Sequence, residues 1–126
     1  MARILVIDNH KLVRDTIKVT LELEGHEVVL AGDAQDGIRE FGSQRYDLVI
    51  CDVFMPDKAG LEAISEIRGL SAIAPIIAMT GGFAEAPEAR FGSDLLRIAR
   101  HNGANLTLSK PFRRDELMEL VRRCLD

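Results

Sequence analysis

Cysteine is scarce in this chain. Only Cys51 and Cys124 occur. They lie far apart, each among apolar neighbours, and read as small buried thiols rather than a disulfide framework. That usage suits a reducing compartment, so the expected location is the cytoplasm. Long apolar runs are also missing. No segment approaches the roughly 20 residues of a membrane span, and "MARILVID" carries no long apolar stretch after its arginine. Neither a membrane helix nor a signal peptide is expected. Excess positive charge is absent too, since the formal net charge is -4. This argues against a nucleic-acid surface and against binding to anionic membranes. Arg113, Arg114, Arg122 and Arg123 make the last segment basic, but no aromatic interleaving supports nucleic-acid binding. There is no Cys/His cluster for zinc, no Walker lysine loop and no Rossmann glycine pattern. Linkers and low-complexity tracts are likewise missing, and 126 residues suit one domain, 1–126, with a core of its own.

The apolar runs that do occur are short and regularly spaced. "RILVI" (3–7) is continuous, as in a strand covered on both faces. The period then changes. Over 10–25, Leu12, Val13, Thr16, Ile17, Thr20 and Leu21 mark one helical face, and Gly25 is a natural stop. "EVVLA" (27–31) predicts a second strand, 33–44 a short helix, and "YDLVICD" (46–52) a third strand. After the loop "MPDKAG" (55–60), Leu61, Ile64 and Ile67 give the apolar side of a helix over 61–70. "PIIAMT" (75–80) predicts a fourth strand, 94–103 a helix capped by Asp94, and "ANLTLS" (104–109) a fifth strand. A last helix over 114–126 has the stripe Leu117, Leu120, Val121 and Cys124.

Five strands alternating with five helices predict an α/β sandwich around a parallel sheet. In such sheets, sites form beyond the carboxyl ends of the strands. Asp8, Asp52, Thr80 and Lys110 all fall at those ends. In the strand order 2-1-3-4-5, strands one and three are neighbours, and their terminal carboxylates would nearly touch. Two adjacent carboxylates repel, and Lys110 or a hard divalent cation such as Mg²⁺ would neutralise them. A carboxylate, a cation, a hydroxyl and a lysine suit phosphoryl transfer, in which the carboxylate attacks phosphorus. The bland alternative is an ordinary sheet with polar caps at its strand ends.

The pieces "ILVIDNH", "DLVICDVFMPDKAG", "PIIAMT" and "LSKPF", in this order and spacing, resemble the receiver domain of two-component response regulators. The resemblance extends over nearly the whole chain. It implies a flavodoxin-like, doubly wound, five-stranded parallel sheet of order 2-1-3-4-5, with helices on both faces. It implies that Asp52 is the phosphoacceptor and that a histidine kinase or histidine phosphotransfer protein is the donor. Thr80 matches the switch hydroxyl. Lys110 matches the lysine that pairs with the acceptor or its phosphate. The Lys110–Pro111 bond matches one often found cis. Asp8, Asn9, Asp52 and the backbone carbonyl of Phe54 match the Mg²⁺ positions. The protein is then expected to be a stand-alone receiver that signals by protein contact, with no enzymatic turnover of its own.

Two departures stand against that pattern. Asn9 replaces the acid that normally contributes most to metal binding, so Mg²⁺ is expected to bind weakly. Thr107 stands where the family often has a switch tyrosine or phenylalanine. The stretch from Thr80 to Lys110 is also long, and the segment 81–93, which includes Phe83 and Phe91, is expected to change conformation on phosphorylation. Asn9 and Thr107 favour a rival of a different class: a phosphorylation-independent protein-binding module with a degenerate metal site. An aspartyl phosphatase fits less well, because "DNH" offers no second acid two residues on. His10 is read as a helix cap or an outer partner of the acids, and His26 and His101 as surface or capping histidines.

Overall fold

In a computed structural model, residues 1–53, 55, 60–81 and 92–126 are described. Among them, strands and helices alternate as β1 (Arg3–Ile7), α1 (Lys11–Leu23), β2 (Glu27–Ala31), α2 (Ala34–Ser43), β3 (Leu48–Asp52), α3 (Gly60–Leu70), β4 (Ile76–Gly81), α4 (Gly92–Asn102), β5 (Leu106–Lys110) and α5 (Arg114–Leu125). The sheet is parallel throughout and runs in the order β2-β1-β3-β4-β5. The expected architecture is therefore the observed one.

The central strands are apolar on both faces because both faces are covered. Ile4 and Val6 of β1, Leu48 and Ile50 of β3, and Ile77 and Met79 of β4 pack with Ile17 and Leu21 of α1 and Leu117, Met118 and Val121 of α5. The alternate residues Leu5, Ile7, Val49, Cys51, Ile76 and Ala78 face the other way, against Ala63, Ile64 and Ile67 of α3 and Ala99 of α4. Each fully buried aliphatic side chain contributes roughly 1.5–3 kcal/mol of transfer free energy. Strict alternation also fixes the direction of whatever follows each strand. Continuing the even-numbered rows 4-6, 48-50 and 106-108, residues 8, 52 and 110 belong on the α1/α5 side. Residue 80 continues the row 76-78 toward the α3 side.

Several boundaries differ from the sequence expectation. β3 starts at Leu48, because Asp47 pairs with the start of β1: Arg3 N donates to Asp47 Oδ2 at 2.8 Å, and Asp47 N to Arg3 O at 2.8 Å. α4 begins at Gly92, so Asp94 lies inside the helix and is not its cap. Leu12 was assigned to the buried face of α1 but is 79% exposed, while Ile17 and Leu21 carry the packing. In α5, Met118 joins Leu117 and Val121 in the core, and Leu120 and Cys124 are only half-buried. Gly25 does end α1 just beyond its C-cap, with φ +91°, a conformation that costs glycine little. His26 Nδ1 accepts a hydrogen bond from Ala2 N at 3.2 Å, and His101 is exposed in the last turn of α4. Of the basic residues near α5, Arg113 pairs with Asp115, and Arg122 approaches Glu24 at 3.6 Å, so they form an ordinary charged surface.

Tyr46, the chain's single tyrosine, stacks on Phe41 and donates to Glu40 Oε1 at 2.7 Å. Burial first, and the Glu40 hydrogen bond second, push its phenol up to about 12 from the ordinary 10.0. The folded state holds this proton more tightly than the unfolded state does. Stability should then fall as pH rises above about 10. No tryptophan obscures the phenolate absorbance, so an alkaline titration should show a midpoint near 12 while the chain remains folded. A midpoint near 10 in the folded chain would contradict the packing described.

Candidate functional site

The register decides what meets at the carboxyl edge. Ile7 of β1 lies beside Cys51 of β3, so Asp8 and Asp52 follow at the same level on adjacent strands. Both are buried, with side chains 0% and 3% exposed. Lys110 closes β5, two strands from β3, and its long stem reaches back over the sheet edge. Its Nζ lies 2.7 Å from Asp8 Oδ2 and 3.4 Å from Asp52 Oδ2. The shorter ion pair is thus made to Asp8 and the longer one to the proposed acceptor. One ammonium serves both carboxylates.

Asp8 is further organised by its own turn. Its Oδ1 accepts from His10 N at 2.8 Å, an Asx-type turn that leads the chain from β1 into α1. Arg14 Nη1 donates to the Asp8 carbonyl oxygen at 2.8 Å, locking the backbone from the α1 side. His10 occupies the N-cap position of α1 but makes no side-chain capping bond. The expected helix-capping role is not what its side chain does. Its Nδ1 instead sits 3.3 Å from Asp8 Oδ1. The outer-partner expectation for His10 is the one the geometry matches.

Thr80, in β4, is 2% exposed, and its Oγ1 has no hydrogen-bond partner among the described residues. Asn9 Oδ1 is also buried without a partner. Leaving such atoms unsatisfied costs about 1–3 kcal/mol each, so both oxygens call for a donor or a cation. The donor set of this edge fits a divalent ion: Asp8, His10 and Asp52 offer ligand atoms within 4.8 Å of one another. Phe54, the fourth expected metal position, lies outside the described residues, as does most of the 81–93 segment. The Lys110–Pro111 bond is cis. Thr107 lies half-buried in β5 and carries no ring. Beside the edge, an apolar cleft of about 560 Å³ opens between α1 and the β5–α5 turn, lined by His10, Leu12, Val13, Lys110 and Phe112.

Two further residues shape the end of β3. Cys51, expected as a buried thiol, is fully buried next to Asp52, and burial followed by the charges of Asp52 and Asp8 drives its thiol pKa far up. It stays protonated and inert. Gly60, the first residue of α3, packs directly on the end of β3. A β-carbon there would run into the Asp52 carbonyl oxygen and lie 2.6 Å from Val53 Cα. The loop signal "DKAG" marked a turn without revealing this close approach.

Residues 4–122 match the response regulator receiver domain family. The chain belongs to that family. The receiver is 32% identical over 120 residues to the transcriptional regulatory protein DltR of Streptococcus agalactiae, covering 95% of this chain and 50% of that protein. It is 36% identical to the transcriptional regulatory protein PdtaR of Mycobacterium tuberculosis, covering 94% and 54%. The chain thus spans about half the length of these relatives. Among solved structures, the response regulator TrrA of Thermotoga maritima, in complex with Mg²⁺ and BeF, is 36% identical with a TM-score of 0.83, covering 99% of this chain and 100% of that one. The chemotaxis protein CheY4 of Vibrio cholerae is 29% identical with a TM-score of 0.84, covering 99% of both chains.

Replacing Gly60 tests the close approach that seats α3 on β3. Because the obstacle is backbone, Gly60→Ala should destabilise the receiver by at least about 1–3 kcal/mol. Urea unfolding measures this, and an unchanged midpoint would show that α3 does not press on β3.

Proposed function

We propose that this receiver takes a phosphoryl group on Asp52 and passes the signal on by protein contact. The observation that carries the reading is the buried Asp8–Lys110–Asp52 cluster at the sheet edge, with the unpartnered Thr80 hydroxyl on the neighbouring strand. The donor is a histidine kinase or histidine phosphotransfer protein, approaching along the apolar cleft beside α1. An Asp52 carboxylate oxygen attacks the phosphorus of a phosphohistidine. The new O–P bond forms as the P–N bond breaks, and the departing imidazole takes up a proton. Lys110 holds positive charge beside the transferred group, and Thr80 Oγ1 gains a phosphoryl oxygen as its partner. Asp8, Asp52 and Asn9 would hold Mg²⁺, which when bound offsets charge on the phosphoryl oxygens. The likeness to the Mg²⁺- and BeF-bound Thermotoga regulator supports this assignment. The receiver is a substrate and switch rather than a turnover enzyme, and it acts in the cytoplasm on protein partners, not on nucleic acid or membrane. No helix among the described residues is long and apolar enough to cross a membrane.

The second reading, a binding module that works without phosphorylation, draws on Asn9 and Thr107, which remove a metal-site charge and the switch ring. One experiment separates the two. Incubation with acetyl phosphate and Mg²⁺ should add the mass of one phosphoryl group to the wild type and none to Asp52→Asn. An adduct on both proteins would move the acceptor elsewhere. An adduct on neither would favour the second reading.

Asn9→Asp should strengthen Mg²⁺ binding. One added charge about 4 Å from the doubly charged ion contributes roughly 8 kcal/mol at an effective dielectric of 20, before desolvation and repulsion are subtracted. The net gain should be about 1–2 kcal/mol, or about five- to thirty-fold in affinity. A third carboxylate beside Asp8 and Asp52 should also lower the stability of the metal-free protein, and saturating Mg²⁺ should recover part of that loss. Magnesium titrations and thermal melts measure the two halves. Equal affinity in both proteins would mean that residue 9 does not face the ion.

A further inference from the structure

Three features of the receiver's edge fit poorly with a site tuned for Mg²⁺ alone. Mg²⁺ takes oxygen ligands in a near-ideal octahedron and gives up water reluctantly, so it depends on anionic charge. Here residue 9 supplies a neutral amide, and Lys110 already engages both remaining carboxylates, at 2.7 Å and 3.4 Å. The nitrogen donor at the edge is the third feature. His10 stands at a helix N-cap, where Ser, Thr, Asp or Asn would stabilise α1, yet its ring makes no capping bond. The ring is turned to Asp8, with Nδ1 at 3.3 Å from Oδ1.

That separation is long for a strong hydrogen bond to a buried carboxylate. The ring and the carboxylate face one another as two donors that one ion could share. Asp52 offers a third donor within 4.8 Å of the other two, and the unpartnered Asn9 oxygen lies between Asp8 and His10 in the chain. The imidazole is 38% exposed, so the ion has a route in from solvent. Mixed carboxylate and imidazole donors suit first-row transition ions, whose affinity for nitrogen rises toward the end of the series.

We propose that the acceptor edge of this receiver binds a divalent transition ion of the Co²⁺–Ni²⁺–Zn²⁺ class through His10, Asp8 and Asp52, in preference to Mg²⁺. His10 sets the selectivity and restores, by a nitrogen–metal bond, part of what Asn9 gives up in charge. The inference uses the same edge as the phosphoacceptor reading but depends only on its geometry.

Cobalt is the probe, because its visible absorption and paramagnetism report nitrogen ligation. Isothermal titrations of the whole chain with Co²⁺ and with Mg²⁺, without any phosphodonor, compare wild type, His10→Gln, Asp52→Asn and the control His26→Gln/His101→Gln. The wild type should bind Co²⁺ more tightly than Mg²⁺. His10→Gln should weaken Co²⁺ by at least about tenfold and leave Mg²⁺ unchanged, the control should match the wild type, and Asp52→Asn should weaken both ions. Wild-type Co²⁺ should also shift the His10 ring resonances paramagnetically, a readout that needs no variant to fold. Equal loss of both ions in His10→Gln, Co²⁺ binding that survives Asp52→Asn, or paramagnetic shifts at His26 or His101 instead of His10 would each overturn the proposal. Failure here would leave phosphorylation of Asp52 untouched, since acetyl phosphate labelling tests that separately.

Discussion

A single ammonium group holds the functional edge together. Asp8 and Asp52 come from adjacent strands whose register leaves them at the same level, and both are buried. Lys110 offsets the repulsion between the two carboxylates in a medium that screens poorly. Lys110 arrives from the far side of β4, so the edge exists only when the whole right half of the sheet is assembled. The β4–β5 register and the packing of α5 against the sheet therefore bear on the state of Asp52, although neither touches it directly. A buried ion pair of this kind adds little net stability compared with an apolar replacement. Its value lies in holding both carboxylates in a fixed orientation at the sheet edge.

Much of this was legible in the chain. Short apolar runs alternating with helical periods pointed to a parallel α/β sheet, and the four motifs carried the strand order. Asp8, Asp52 and Lys110 could be placed on one edge because strand ends in a parallel sheet share a side. What could not be read depends on three-dimensional distance. The preference of Lys110 for Asp8 over Asp52, at 2.7 Å against 3.4 Å, is set by a reach across two strands. The closeness of Gly60 to the Asp52 carbonyl reflects how α3 lands on β3, which composition does not encode. Leu12 fits the helical period of α1 yet stands in solvent, because the period describes a face and not how far the sheet extends beneath it. His10 looked like a cap from its position before α1, and only the ring's direction shows otherwise.

The two departures from the family pattern act on different parts of the molecule. Asn9 changes the charge of the edge, and the unpartnered oxygens of Asn9 and Thr80 show that the edge is left polar and unsatisfied in this conformation. Thr107 changes the output side, where a half-buried residue of β5 lacks a ring to swing inward. A receiver built this way keeps the buried Asp8–Lys110–Asp52 cluster while residue 9 carries no charge and residue 107 no ring. Burial of Cys51 beside Asp52 adds a further restraint, since its protonated thiol donates to the Asp52 carbonyl at 3.4 Å.

The most direct test of this picture is a double-mutant cycle on Lys110 and Asp8, read by urea unfolding at neutral pH without metal. Lys110→Met strands two buried carboxylates and should cost about 3–5 kcal/mol. Asp8→Asn alone removes one repulsive charge and should cost much less. In the Asp8→Asn background, Lys110→Met should cost clearly less than in the wild type, with a coupling of about 0.5–3 kcal/mol. Additive effects, with coupling below about 0.3–0.5 kcal/mol, would contradict the claim that Lys110 holds the acceptor edge together through Asp8.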